Sequence, residues 1–257
     1  ALTNTRKDLE HSLTGSLQDT RARADQLSAE LGRSNEFAER VYTPMVRDRL
    51  DGKRIGLIAL GGLPGDVSGA IDEALGPTGG RLVGVGVVRE PVDLQALAGD
   101  LSKTRFADIA RNTDSQSAFG VGIGRQLARG GNLLDRVRGH LFSRASGNFG
   151  RLDGVIVVRA QPQEMGPVQR ATANRLESGL MSGLTATRTP VVGVESSSAE
   201  PSSVSFYLSN DLSSVDDVDL TAGRLATIYA LLGAEGSFGI KGSADHLLPD
   251  LLVPADQ

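Results

Sequence analysis

The first fifty residues carry a heptad repeat, and this repeat constrains the chain more than any catalytic motif does. From residue 13 onward, positions spaced alternately four and three residues apart are mostly apolar, and the residues between them are mostly charged or polar. An apolar stripe with a period of 3.5 residues can be buried only against another helix. We therefore predict a coiled-coil stalk over residues 1–50, paired through residues 9–45 with a second copy or with a helix of another protein. The predicted interface consists of Leu13, Leu17, Ala24, Leu27, Leu31, Ala38 and Val41.

Composition limits what the rest of the chain can be. The sequence has 257 residues, so about 200 remain after the stalk, enough for one α/β domain with a sizeable core. The chain has no cysteine, which excludes disulfides, thiolate metal sites and cysteine nucleophiles. Its net charge of −4 is mild and gives no basic footprint for nucleic acid, so we expect no nucleic-acid partner.

The apolar pattern after residue 50 is typical of an α/β domain. Nearly continuous apolar runs at residues 54–60, 82–88, 154–158 and 190–194 are separated by segments with a helical apolar period. Alternating strands and helices predict an open parallel sheet, Rossmann-like or flavodoxin-like, over residues 51–257. Residues of about 93–151 show no clear strand and many arginines, and they are predicted to form a helical insertion.

Several residues follow predicted strands and are candidates for a cleft. Gly61, Gly62 and Gly65 come after the first strand, but their spacing matches neither a dinucleotide fingerprint nor a P-loop, so a tight turn is the favoured interpretation. Arg159, Gln161 and Glu195 follow two later strands. Because ligands bind at the carboxyl ends of parallel strands, these six residues are the candidate cleft. They indicate a lining and no reaction mechanism.

Two further motifs have a structural interpretation that we favour over a functional one. The glycines between Gly120 and Gly124 are typical of close helix packing, since no strand precedes them. Asp216, Asp217 and Asp219 precede a predicted helix and are expected to cap its N-terminus, although a cation site is the alternative.

Histidines and methionines are scattered without ligand spacing, and hydrolase motifs are missing. We therefore predict a non-enzyme with no catalytic residues, no metal site and no cofactor.

Four stretches together resemble one protein family. They are residues 46–58, residues 79–87, residues 214–219 with 222–224, and residues 236–245 with 247–249. Their arrangement resembles the mycobacterial copper transport protein B family of actinobacterial envelope proteins. The resemblance implies a membrane-spanning segment directly before residue 1, followed by a coiled coil and a domain outside the cytoplasmic membrane. It also implies either copper efflux or tolerance, with an outer-membrane channel role, or regulation of a cell-wall hydrolase during division.

Three functions follow as hypotheses. The first is a non-enzymatic, membrane-anchored envelope protein whose coiled coil and α/β domain bind partner proteins, such as those that regulate cell-wall hydrolases. The second is copper transport or copper homeostasis across the envelope, as the family resemblance implies. The third is a small-molecule-binding α/β domain. The chain contains no run of 18 apolar residues and begins at Ala1 without an initiator methionine. As the resemblance implies, we expect single-pass attachment through a preceding segment, with this portion on the extracytoplasmic side.

Overall fold

A computed structural model describes residues 2–250, with the side chains of residue 15 and of residues 17–250. The chain divides into two compact units, one ending at Met45 and the other beginning at Val46. The first unit is the long N-terminal helix, and the second is an α/β domain. The α/β class with a long preceding helix confirms the predicted fold.

The N-terminal helix α1 spans Leu2–Val46 and is about 68 Å long at a rise of ~1.5 Å per residue. The leucines of the predicted interface are exposed on the single chain: 60% for Leu17, 59% for Leu27 and 63% for Leu31. Ala24 is also exposed, whereas Ala38 and Val41 are partly buried. The side chain of Leu13 lies outside the described residues. The apolar stripe is thus open to a partner helix, and the pairing itself stays a prediction.

The second unit is built on one sheet of seven strands in the order β3-β2-β1-β4-β5-β6-β7. All neighbouring strands are parallel except the antiparallel pair β2 and β3. The strand order reverses between β1 and β4, which makes their carboxyl ends the topological switch point. The strands are β1 (Arg54–Leu60), β2 (Arg81–Val88), β3 (Phe142–Gly147), β4 (Gly154–Arg159), β5 (Val191–Val194), β6 (Ser213–Val215) and β7 (Ser237–Phe238).

Helices cover both faces of this sheet, as the buried central strands require. Strands β4 and β5 are buried along nearly their whole length, which matches their continuous valine and isoleucine runs. The helices are α2 (Gly65–Leu75), α3 (Leu94–Asp100), α4 (Thr113–Arg129), α5 (Asn132–Leu141), α6 (Pro167–Thr185), α7 (Val204–Ser209) and α8 (Thr221–Leu231), with a 3₁₀ turn at Gly76–Thr78.

The predicted insertion at about 93–151 is wrong in one respect. It contains helices α3, α4 and α5 as expected, but it also supplies the edge strand β3. Only the first residue of β3, Phe142, is buried, and serine, arginine and glycine are among the residues that follow it. An edge strand with so little burial produces neither a continuous apolar run nor a regular alternation, so the pattern does not reveal it.

The glycines between Gly120 and Gly124 lie on α4, where it packs closely against α6. A Cβ atom added at Gly124 would lie 2.1 Å from the Leu180 carbonyl oxygen, and one added at Gly183 would lie 2.2 Å from the Val121 carbonyl oxygen. The two helix backbones therefore approach so closely that only glycine fits. This contact confirms the helix-packing interpretation of these glycines.

Candidate functional site

The carboxyl ends of the parallel strands bring the candidate cleft residues to one edge of the sheet. Gly61 follows β1, Arg159 ends β4, and Glu195 follows β5. Glu90 follows β2 at the same edge, although it is not among the six residues predicted from the sequence. The switch point between β1 and β4 lies within this row, at the position where open α/β sheets bind ligands.

The turn after β1 is pressed against the chain that leaves β4. Gly61 has φ +83°, and a Cβ atom there would lie 2.5 Å from the Ala160 carbonyl oxygen. At Gly62 the corresponding distance is 3.4 Å, whereas Gly65 starts α2 with open space around it. The first glycine is therefore required by packing and by its left-handed backbone. This is the tight turn that the spacing favoured.

Arg159 and Gln161 converge on a buried carboxylate of α6. Arg159 Nε donates to Glu177 Oε2 at 3.0 Å, and its Nη2 donates to Asn174 Oδ1 at 2.9 Å. Gln161 Nε2 lies 3.1 Å from both Glu177 oxygens. The Glu177 side chain is only 2% exposed, and the Arg159 guanidinium stacks 4.3 Å above the Phe206 ring. In this cluster the Arg159 guanidinium forms an ion pair with the Glu177 carboxylate, and each polar side-chain group has a hydrogen-bond partner.

Glu90 adds a second carboxyl group beside this cluster. Both of its carboxyl oxygens are buried and have no hydrogen-bond partner among the described residues. Burial, followed by the interaction with Glu177, raises the pKa of Glu90 to about 9, against the smaller lowering effect of Arg159 and Arg170. At neutral pH the guanidinium of Arg159 thus balances one carboxylate, and Glu90 keeps its proton.

A small cavity lies next to this pair of carboxyl groups. It measures about 20 Å³, enough for a single water, and it is lined on its other sides by apolar residues such as Leu60, Phe119 and Ile123. Its size excludes a metabolite at this point of the switch region.

Glu195 does not join the Arg159 cluster. It accepts a hydrogen bond from Ser202 Oγ at 2.7 Å and pairs with Lys241 Nζ at 2.6 Å. The Lys241 ammonium also donates to the carbonyl oxygens of Ser196 and Ala199. One ammonium therefore ties the serine-rich loop after β5 to the loop after β7.

The three aspartates before α8 do not cap that helix, and this corrects the sequence interpretation. The N-cap position is Leu220, with no side-chain cap. Asp216 instead accepts the backbone N–H groups of Ile240 and Lys241, and Asp219 accepts from Ser197 at 2.6 Å. The carboxylates turn away because neighbouring loops offer their own N–H donors.

Asp217 is the exception within that acidic turn. It is fully buried, and neither carboxyl oxygen has a hydrogen-bond partner among the described residues. Burial, followed by the nearby charges of Asp216 and Asp219, raises the pKa of Asp217 to about 7. Asp217 and Glu90 are thus two buried carboxyl groups that hold protons near neutral pH.

A tyrosine and a serine connect the two clusters. The Tyr207 hydroxyl accepts from the Arg159 backbone N–H at 2.9 Å and donates to the Val194 carbonyl oxygen at 3.1 Å. Ser203 Oγ donates to the Arg159 carbonyl oxygen at 3.2 Å. Burial of the ring, followed by the nearby Glu195 charge, raises the pKa of Tyr207 further above its usual value. The carboxyl edge is therefore filled by the protein's own side chains, which hold the strand ends and loops together.

A wider opening lies at the opposite edge of the sheet. A groove of about 690 Å³ runs along the amino ends of β5 and β6, lined among others by Pro190, Leu208, Asp211 and Gly233. None of the six candidate cleft residues borders it.

Several site residues were missed by the sequence analysis. Glu177 could have been found, because it interrupts the apolar stripe of α6 formed by Ala173, Leu176 and Leu180. Glu90 follows β2 in the way that Glu195 follows β5, so the strand-end rule applied equally to it. Lys241 could not be found, since it reaches Glu195 from a loop 46 residues later in the chain.

Metal ligands do not cluster in the described part of the chain. Among the residues whose side chains the structure describes, 15 and 17–250, no group of three or more histidines, aspartates or glutamates could hold a metal. Met165 and Met181 are buried in the core. His140 lies on α5, where its Nδ1 is 2.6 Å from Asp100 Oδ2.

A family model described as "Copper transport outer membrane protein, MctB" matches residues 1–249. The chain belongs to the MctB family. This match confirms the resemblance found from the four stretches of sequence. The description of the MctB family connects it with copper transport and with the outer membrane. A search of curated proteins finds no match. Among the described residues, no helix of this MctB-family chain has the length and apolarity needed to span a bilayer.

Proposed function

We propose that this MctB-family chain serves copper-related envelope transport as a non-enzymatic protein that binds partner proteins. Its N-terminal helix pairs with another helix, and its α/β domain presents a protein-binding surface. It is attached to the cytoplasmic membrane by a preceding segment and acts on the extracytoplasmic side. The exposed heptad leucines of α1 are the observation that carries this proposal.

The exposure of these leucines is costly unless a partner covers them. Leu17, Leu27 and Leu31 are each about 60% exposed and follow the heptad spacing on one helix. Burying each one contributes on the order of 1 kcal/mol from its apolar area. Isolated exposed leucines need no explanation, but a regular stripe is typical of a helix that pairs. The filled carboxyl edge supports the same conclusion, because it supplies no open site for a substrate.

The stalk is tested with Leu17→Asp combined with Leu27→Asp. Two charges in the stripe are expected to abolish pairing, because a buried unpaired carboxylate costs several kcal/mol. Sedimentation velocity measures self-association, and affinity capture from envelope extracts measures pairing with another protein. The matched control is Gln18→Asp combined with Ser28→Asp, which places the same charges beside the stripe. If neither self-association nor capture differs between the variant and the control, the stalk is not a coiled coil.

A second candidate function is direct copper handling, which the family description favours. Titration of the chain with Cu(I) against a competing chelator tests it. If the chain carries copper itself, we expect a site tighter than micromolar, supplied by thioether or imidazole ligands. If binding is weaker than micromolar, the chain handles no copper directly, and the partner-binding proposal stands unaffected.

A further inference from the structure

The two outermost strands of the sheet, β3 and β7, differ in what lies along their outer sides. At β7 the chain covers its own edge: the backbone N–H groups of Asp245 and His246 donate to the Ser237 carbonyl oxygen, and Gly239 N–H donates to the His246 carbonyl oxygen. At the other edge, no strand lies beyond β3 in the described part of the chain. Four of the six β3 residues are exposed to solvent: Ser143, Arg144, Ser146 and Gly147.

The register of β3 determines which backbone groups face outward. Asn148 N–H donates to the Val83 carbonyl oxygen at 2.9 Å, and residues along an antiparallel pair alternate in direction from that point. The backbone N–H and C=O groups of Arg144 and Ser146 therefore point toward β2, whereas those of Ala145 and Gly147 point away from the sheet. The outward backbone groups of Ala145 and the outward N–H of Gly147 form a template on which an extended segment can add as a strand.

The surroundings of this edge are strongly basic. Arg138 Nη2 donates to the Gly147 carbonyl oxygen at 3.1 Å, and Arg89 Nη2 donates to the Phe142 carbonyl oxygen at 3.3 Å. Guanidinium groups thus lie at both ends of β3, and the exposed Arg144 lies between them. Between Asp135 and Asp153 the sequence contains four arginines and no acidic residue. An added strand would therefore meet positive charge along its whole length.

This charge selects the occupant. If a second copy paired antiparallel through β3, two basic edges would face each other, and like charges across an interface are unfavourable. An acidic segment would instead be attracted. We propose that the β3 edge binds an extended acidic segment of a partner protein as an eighth strand of the sheet. This surface is separate from the heptad stripe of α1, and it rests on the proposed function only in requiring a protein partner.

The test uses the whole chain and labelled seven-residue peptides in fluorescence anisotropy. A peptide of alternating valine and glutamate is expected to bind in the micromolar range. A second acidic peptide, with proline in place of valine, keeps the charge but lacks alternate N–H donors, and it should bind at least about tenfold more weakly. A peptide of alternating valine and lysine should not bind.

Two variants locate the binding. Arg144→Glu reverses the central charge, and Ala145→Pro removes an outward N–H without breaking a bond to β2. Each should weaken binding of the valine–glutamate peptide at least about tenfold, whereas Arg188→Glu, in the exposed turn before β5, should leave it unchanged. Hydrogen exchange should show the Ala145 and Gly147 amides protected when the peptide is bound. Circular dichroism checks the fold, and Arg144→Glu with the proline peptide suffices if Ala145→Pro fails to fold.

Three results of the peptide experiments would overturn the proposal. They are binding of both acidic peptides with equal strength, binding that Arg144→Glu leaves unchanged, and no acidic-peptide binding at millimolar concentration. Self-association that Ala145→Pro abolishes would identify a second copy as the occupant and would also overturn it. Failure at this edge is distinguishable from failure of the proposed function, since the aspartate variants of Leu17 and Leu27 test the stalk alone.

Discussion

Replacement of Glu90 by Gln is expected to remove most of the loss of stability that the wild-type chain shows between pH 7 and pH 9. The folded-state pKa of Glu90 is about 9 and its ordinary value is 4.5, so the folded state binds one more proton across this interval. Stability contributed by a raised pKa is fully present below the unfolded-state value and is lost as pH rises through the folded-state value. For one proton the free energy of unfolding falls by up to about 1.4 kcal/mol per pH unit.

Urea unfolding at pH 5, 7 and 9, followed by tyrosine fluorescence, measures this effect. Gln has nearly the shape of a protonated carboxyl group but cannot lose a proton, so Glu90→Gln should flatten the profile above pH 7. The matched control is Asp217→Asn. The pKa of Asp217 is raised from 3.8 to about 7, and this variant should therefore flatten the profile below pH 7 and leave the upper part unchanged. A Glu90→Gln protein with the wild-type slope between pH 7 and pH 9 would show that Glu90 ionises normally.

These two carboxyl groups also show where sequence reasoning reaches its limit. That Glu90 follows a strand is visible in the sequence. Its raised pKa depends first on burial and then on Glu177, which approaches from α6 and lies 87 positions later in the numbering. The sequence predicts that the Asp217 carboxylate caps a helix by accepting hydrogen bonds from the N–H groups at its N-terminus. The loops that contain Ser197, Ile240 and Lys241 instead satisfy its neighbours. Contacts between distant loops leave no periodic trace in the sequence.

The strands likewise divide into those that the sequence pattern predicts and those that it does not. β1, β2, β4 and β5 were predicted because burial on both faces demands continuous apolar runs. β6 and β7 were not predicted, since they contain only three and two residues and include Ser213, Ser214 and Ser237. The strand-end rule placed Arg159 and Gln161 at one edge of the sheet, where the structure shows that both contact Glu177. It did not separate Glu195 from them, because the rule gives the edge of the sheet and not the partner of each side chain.

Replacement of Arg159 by Met is expected to lower the free energy of unfolding by about 3–5 kcal/mol, the cost of leaving one partner of a buried ion pair uncompensated. The Met side chain keeps most of the apolar stem and the contact with the Phe206 ring. It removes the donors to Glu177 at 3.0 Å and to Asn174 at 2.9 Å. Glu177 stays buried with Gln161 as its remaining donor, and Glu90 lies beside it, so its charge loses the guanidinium that compensates it.

The double variant Arg159→Met with Glu177→Gln separates the charge from the packing. Urea unfolding of both single variants and the double variant forms a thermodynamic cycle, in which the pair is coupled if the two losses do not add. Once neither buried charge is present, we expect the double variant to lose less than half of what Arg159→Met loses alone, because neutral replacements of buried ion pairs are often tolerated. Arg188→Met, at an exposed position, is the matched control and should change stability by less than about 0.5 kcal/mol. Strictly additive losses would mean that the ion pair with Glu177 contributes nothing measurable, and that the loss in Arg159→Met comes from its hydrogen bond to Asn174.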